Sequence, residues 1–155
     1  MATPKVFRDG EFVCAFSGLL RAGQVVRYVF DAPPMPHASD ERGMDRYMAG
    51  TWASGLRETM LAEGVQGQQA ETSDFELLVG VRGRLYVVEG DYAVWRCARR
   101  YHAAGSGAEF ALGAIHALRS GRPKLTPTAI IQCAIASACE HANTVRGPVT
   151  VVEAP

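Results

Sequence analysis

The sequence predicts a layered fold of mixed helices and antiparallel strands, and three observations carry that prediction. Apolar residues alternate in short runs at residues 12–16 and 75–81, the period of half-buried strands. Other stretches, at residues 40–63 and 125–143, repeat their apolar residues at helical spacing. In chain order the elements read strand, helix, helix, antiparallel strands, helix, helix, strand. That order indicates a layered α/β or α+β sandwich and not a doubly wound parallel sheet.

Taken in turn, "EFVCAFSG" puts Phe12, Cys14 and Phe16 on one face of the first strand. Leu19 to Phe30 is expected to be a helix, stopped by the proline-rich "DAPPMPHASD", which cannot continue one. A second helix is expected over about 40–63. There Met44, Met48, Trp52, Leu56 and Met60 recur every four residues, a stripe that reads as core packing. "EGVQGQQAETSD" is a polar loop. Phe75, Leu77, Val79 and Val81 alternate into a strand, and Arg82–Gly83 suits a tight hairpin turn. "RLYVVEG" and "DYAVWRCA" continue the meander, and "RRYHAA" is extended. A helix is expected from Ala108 to Arg119 on alanine and leucine propensity. In the last helix Thr126 is the expected N-cap and Pro127 the first helical residue, with Ile131, Ala134, Ile135 and Ala138 on the buried face. "PVTVVE" is read as a closing strand.

Bulk composition narrows the function classes. The 155 residues suit one domain, 1–155, of ordinary globular make-up: 48% are hydrophobic and 21% charged. Sixteen basic side chains balance sixteen acidic ones, so the basic excess that marks nucleic-acid or anionic-membrane binding is missing. No apolar run reaches the roughly 20 residues of a membrane span, and "MATPKVFRDGEF" lacks the apolar core of a signal peptide. A cytoplasmic protein, with no nucleic-acid or membrane partner, is expected. Cys14, Cys97, Cys133 and Cys139 form no zinc-ligand pattern with His37, His102, His116 or His141. They read as small buried apolar residues, and neither a metal nor a cofactor is assigned.

The chemistry concentrates in "GSGAEFALGAIHAL", residues 105–118. A glycine turn before a helix could cradle an anion, because free N–H groups and the positive dipole end converge there. The dinucleotide fingerprint would need glycine at position 110, which is Phe110, and no P-loop pattern exists. The plain alternative is a tight turn with Gly105 or Gly107 at positive φ and Ser106 as N-cap.

The surrounding residues tip the balance. "RYHAAGSGAEFALGAIHAL" resembles the loop and helix of the proteasome β-subunit and HslV-like family, with Gly113 matching a glycine six residues after the second loop glycine. "FELLVGVRGRLYVVEGD" is similar to that family's strand hairpin, and "AIASACEHANTVRGPVTVVE" to its late helix, acidic residue and terminal strand. "PKVFRDGEFVCAFSGLLRAGQVVRYV" is similar to the segment that follows the family's catalytic lysine. The resemblance implies an N-terminal nucleophile (Ntn) hydrolase: an α+β, four-layer αββα sandwich assembled into rings around a proteolytic chamber. It also implies a threonine-type endopeptidase, whose N-terminal threonine is the nucleophile and whose α-amino group is the base.

By position, the resemblance gives Ser106 the role of the serine near that amine. Glu140 and Asn143 take the places of its acidic and hydroxyl supports, and an oxyanion donor falls within Ala15–Gly18, including Ser17 and Gly18. Gly105 and Gly107 shape the loop. The implied partners are copies of the chain in a homo-oligomeric ring, an AAA+ unfoldase ATPase and, if the site is active, a peptide or protein substrate. The family's nucleophile hairpin, with its threonine, aspartate and lysine, finds no match. Lys5 matches a later, structural lysine, and Thr3 is not read as the nucleophile. The expectation is a subunit truncated at that hairpin and inactive as the chain stands, with only supporting residues present. A catalytically dead ring or assembly component and an anion-binding α/β domain are the alternatives.

Overall fold

Two tight turns set the register of the sheet. Strand β1 (Val6–Asp9) returns as β2 (Phe12–Gly18) through Gly10 and Glu11, with Asp9 opposite Phe12. Strand β3 (Phe75–Val81) returns as β4 (Arg84–Val88) through Arg82 and Gly83, whose φ angles of 47° and 72° are the paired positive values of the hairpin turn whose twist matches the strands. Strand β5 (Val94–Arg96) closes a five-stranded antiparallel sheet in the order β1-β2-β3-β4-β5. The computed structural model describes residues 4–37, 40–65, 74–121 and 124–155. Thr3 and most of the polar loop after Gly64 therefore lie outside the described residues.

One face of the sheet is covered by helices. Phe12, Cys14, Phe16, Leu77, Val79 and Val81 alternate inward and are buried, as their period requires. Against them lies α1 (Leu20–Tyr28), which buries Ala22, Val25 and Val26. Beside it runs a rod made of α2 (Glu41–Arg46), a π-helical turn (Tyr47–Trp52) and α3 (Ala53–Ala62). Asp40 starts the rod by accepting a hydrogen bond from the Gly43 N–H at 2.8 Å. The four-residue stripe of the sequence explains the π turn. A spacing of four exceeds the 3.6 residues of an α turn, so the stripe would drift round the helix. Widening one turn to i→i+5 bonding keeps Met44, Met48, Trp52, Leu56 and Met60 on the sheet side, and all five are at most 1% exposed. Polar ties reinforce the seam: the Tyr86 hydroxyl donates to Asp45 at 2.9 Å, and Arg96 pairs with both Asp45 and Glu41.

The opposite side is different. Helices α4 (Ala108–Ser120) and α5 (Pro127–His141) pack on each other around a separate small cluster of Ala111, Ile115, Ala134 and Ala138. Thr126 caps α5 as expected, accepting from the Ala129 N–H at 3.2 Å, with Pro127 leading the helix. The second face of the sheet, with Val13, Ala15, Leu78 and Gly80, is half-buried. Strands and helices are therefore segregated as in an α+β layered fold. Among the described residues the strands form one sheet.

Several expectations need correction. Strand β1 was not anticipated, although Val6 and Phe7 followed by Asp9–Gly10 are a hairpin signal. "PVTVVE" is not a strand and joins no ladder among the described residues. Ile131 is 42% exposed, because α5 turns Ala134, Ala138 and the neighbouring, half-buried Ile130 into the helix pair instead. Cys133 is exposed and Cys139 half-buried, whereas Cys14 and Cys97 are buried. Burial pushes the Cys14 thiol up to about 12, which keeps it neutral and inert. Arg82 is more than an exposed turn residue: it forks onto Glu11 and donates to the Pro36 carbonyl, tying two loops together. Trp95 is 41% exposed, and its indole N–H donates to Glu89 at 2.9 Å.

Candidate functional site: the corner of β2, the glycine loop and α5

The end of β2 is fixed by a contact only glycine allows. Gly18 has φ of 81°, and a Cβ there would lie 2.2 Å from the Asp74 carbonyl oxygen. That carbonyl accepts the Leu19 N–H at 2.7 Å and so turns the chain from β2 into α1. Ser17, the last side chain before the turn, projects from the face of β2 opposite the buried phenylalanines.

The loop at 105–107 docks on that residue. Gly105 has φ of 94°, and its Cβ position is 3.1 Å from Ser17 Cβ and 3.6 Å from Ser17 Oγ. On its other side Gly107 is buried, with its Cβ position 2.8 Å from Val145 Cγ2 and 2.9 Å from Ala138 Cβ. The loop is thus wedged between β2 and the end of α5, with no room for a side chain at Gly107. Gly107, and not Ser106, is the N-cap of α4, and no side chain caps that helix. The first free donor is spent locally, since the Ala108 N–H bonds to the Gly105 carbonyl at 3.0 Å.

Released from capping, Ser106 faces α5. Its Oγ lies 2.6 Å from Thr144 Oγ1, a short hydroxyl–hydroxyl bond in which either oxygen can donate. The pair is solvent-exposed. Thr144 is the partner that sequence reasoning missed by one position, since Asn143 was expected there. The chain leaves α5 after His141, and the Val145 N–H bonds to the Ala142 carbonyl, a local turn that presents residue 144 to the loop. A loop serine facing a hydroxyl residue just past the last helix was the available signal; the turn that shifts the register by one was not readable. Asn143 and Glu140 are exposed, and neither side chain makes a hydrogen bond among the described residues. Lys5, read as structural, sits at the same end of the sheet. Its carbonyl accepts the Phe16 N–H at 2.9 Å and its Nζ lies 5.9 Å from the Phe16 ring centre, one residue from Ser17.

The corner therefore joins Ser17, Gly18, Gly105, Ser106 and Gly107 with Thr144, and leaves Glu140 and Asn143 at its rim. A hydroxyl pair can pass a proton along but has no acceptor able to hold one near neutral pH. Neighbouring this corner along α4, an open cleft of about 430 Å³ lies between Leu112 and His116 and the chain at Trp95, Tyr101 and His102. His102 Nε2 is 3.5 Å from Glu76 there, and its ring meets Trp95 edge to face. Among the described residues no cluster of three metal-ligating side chains forms, and no helix is long and apolar enough to cross a membrane.

Comparison with solved structures finds the same architecture. BPH from Thiobacillus denitrificans, in complex with epoxomicin, superposes with a TM-score of 0.71 at 21% identity, over 93% of this chain and 75% of that one. Eukaryotic HslV from Trypanosoma brucei gives 0.57 at 16% identity, over 90% and 74%. Anbu, the ancestral β-subunit, from Yersinia bercovieri gives 0.55 at 17% identity, over 96% and 68%. No protein-family model and no curated protein matches the sequence.

Proposed function

The chain has an α+β fold of the proteasome-like Ntn type, and from that premise we propose that it is a subunit of a self-compartmentalising, threonine-peptidase-like assembly of copies of itself. In this reading the corner of β2, the glycine loop and α5 is the supporting half of an Ntn site. Ser106 and Thr144 relay a proton to and from a terminal amine seated beside them, and Ser17–Gly18 supply the wall and an oxyanion donor. Glu140 and Asn143 contribute from the rim when substrate or a neighbouring subunit closes the site. An AAA+ unfoldase is the matching partner for such a chamber.

The observation that carries this reading is the 2.6 Å Ser106–Thr144 pair, held by a glycine loop wedged against Ser17. It also limits the chemistry. The nucleophile of acyl transfer needs a base beside it, and the partner of Ser106 is another hydroxyl. The 155-residue chain by itself is therefore proposed to be inert toward peptides, acting as a ring component with a relay in place. The test is direct. The purified chain is assayed with fluorogenic peptides and with epoxomicin, followed by intact mass. No turnover and no adduct are expected, together with a mass in light scattering well above the monomer. Turnover abolished by Ser106→Ala would overturn the inert reading; a strict monomer at every concentration would overturn the assembly reading.

The anion-binding alternative gains no support from the loop, because the Ala108 N–H is already bonded within it and Gly107 is buried.

A further inference from the structure

We propose that the open cleft between α4 and the chain that follows β5 is a binding site for a small aromatic carboxylate. Its volume, about 430 Å³, is that of an ordinary small-molecule site. It takes no part in the relay proposed for Ser106 and Thr144, and it stands whether or not copies of the chain assemble.

The cleft is shaped by a bend that costs energy. After β5 the Cys97 N–H bonds to the Leu85 carbonyl at 2.8 Å, and the Arg100 N–H to the Cys97 carbonyl at 3.0 Å. This turn leaves Arg100 at φ of 59°, a left-handed conformation unfavourable for a residue with a side chain. Its result is that Arg99, Tyr101 and His102 line the same space, opposite Leu112 of α4. Cys97 is buried in that lining, and desolvation raises its thiol, the mark of an apolar wall.

The aromatic surface is fixed in place. Trp95 is exposed, yet its indole N–H is held by Glu89 and its ring meets His102 edge to face, with centres 5.0 Å apart. Tyr101 carries the Arg119 guanidinium over its ring at 5.1 Å. Rings already held offer apolar area to a ligand at little further cost in entropy. Charge narrows the ligand. Among the described residues no carboxylate lines the cleft, whereas Arg96 and Arg99 do. Arg96 is engaged by Glu41 and Asp45, but Arg99 has no ion pair among the described residues. One free guanidinium fork matches the two oxygens of one carboxylate. A planar body attached to that carboxylate covers Trp95 and Tyr101, which an inorganic anion would leave unused.

The probe is naphthoate, with uncharged naphthamide as its control, followed through the indole N–H signals of Trp52 and Trp95 in NMR. The Trp95 signal should shift saturably with a Kd of about 1 mM or tighter, while that of Trp52, buried in the main core, stays in place. Naphthamide and acetate should each bind about tenfold more weakly or worse, since one lacks the charge and the other the ring. Arg99→Gln should bring naphthoate down to the level of naphthamide without changing the melting, because Arg99 is exposed. Trp95→Leu, followed through the Leu112 methyl signals, should weaken naphthoate by a similar factor. No saturable shift at about 10 mM naphthoate, acid and amide binding equally, acetate binding as tightly as naphthoate, a shift shared by Trp52, or indifference to either substitution would each overturn the proposal.

Discussion

The two sides of the molecule are built on different economies of packing. Between the sheet and α1–α3, the fully buried side chains are large: Trp52, Tyr86, Met44, Met48, Leu56, Met60 and Leu77. Side chains of that size contribute about 1.5–3 kcal/mol each on burial. Between α4 and α5 three of the four buried residues are alanines, whose single methyl is worth about 0.8 kcal/mol. The small residues bring the helix pair close, so that the glycine loop can reach Ala138 and Val145, but they store little stability. The candidate site sits on the weakly held side and leans on the strongly held one through Gly105 and Ser17. The well-packed core and the candidate site thus belong to separate layers, and mutations should divide along the same line.

The largest effect is expected at Trp52, which is 1% exposed and packs edge to face on Phe30 with ring centres 5.2 Å apart. Trp52→Ala should cost about 3–5 kcal/mol in urea denaturation and lower every probe of the fold together. Trp52→Phe should cost much less, because it also removes the indole N–H, which is buried without a partner. A cost for phenylalanine equal to that for alanine would mean that the packing contrast between the layers has been misread. Next in size is Gly107→Leu. Its new side chain meets Val145 and Ala138 at under 3 Å, so the loop must lift from α5 at about 1–3 kcal/mol. Hydrogen exchange should report opening in α4 and α5 while β2 and β3 keep their protection. Loss of protection in all of them at once would show the two layers to be one cooperative unit.

How much of this was legible in the sequence follows the same division. Where side chains are large and periodic the reading succeeded: the five-residue stripe from Met44 to Met60, the alternation in β2 and β3, and the Arg82–Gly83 turn lie where the pattern puts them. Those signals come from the local backbone period, which tertiary contacts do not alter. The failures fall where packing or pairing decides. The pattern marked Ile131 as buried because it is apolar, but α5 meets α4 along its alanines. "PVTVVE" has strand propensity and no neighbour to pair with among the described residues. At the site, the loop glycines and Ser106 were named from the sequence alone, and the structure brings them together with Ser17. The Ser106 partner was not, because the turn after α5 decides whether residue 143 or 144 faces the loop.

The smallest expected effect tests that turn. Ser106 and Thr144 are exposed, so water replaces either hydroxyl readily, and removing one should cost at the low end of a neutral hydrogen bond, about 0.5 kcal/mol. A double-mutant cycle of Ser106→Ala and Thr144→Val separates the bond from each residue's solvation. A coupling of about 0.5 kcal/mol or more is expected for this pair, and none for the matching cycle of Ser106→Ala with Asn143→Ala. If the coupling appears with Asn143 instead, the register of the turn is one residue earlier. The relay would then belong to the residue that the sequence resemblance first indicated.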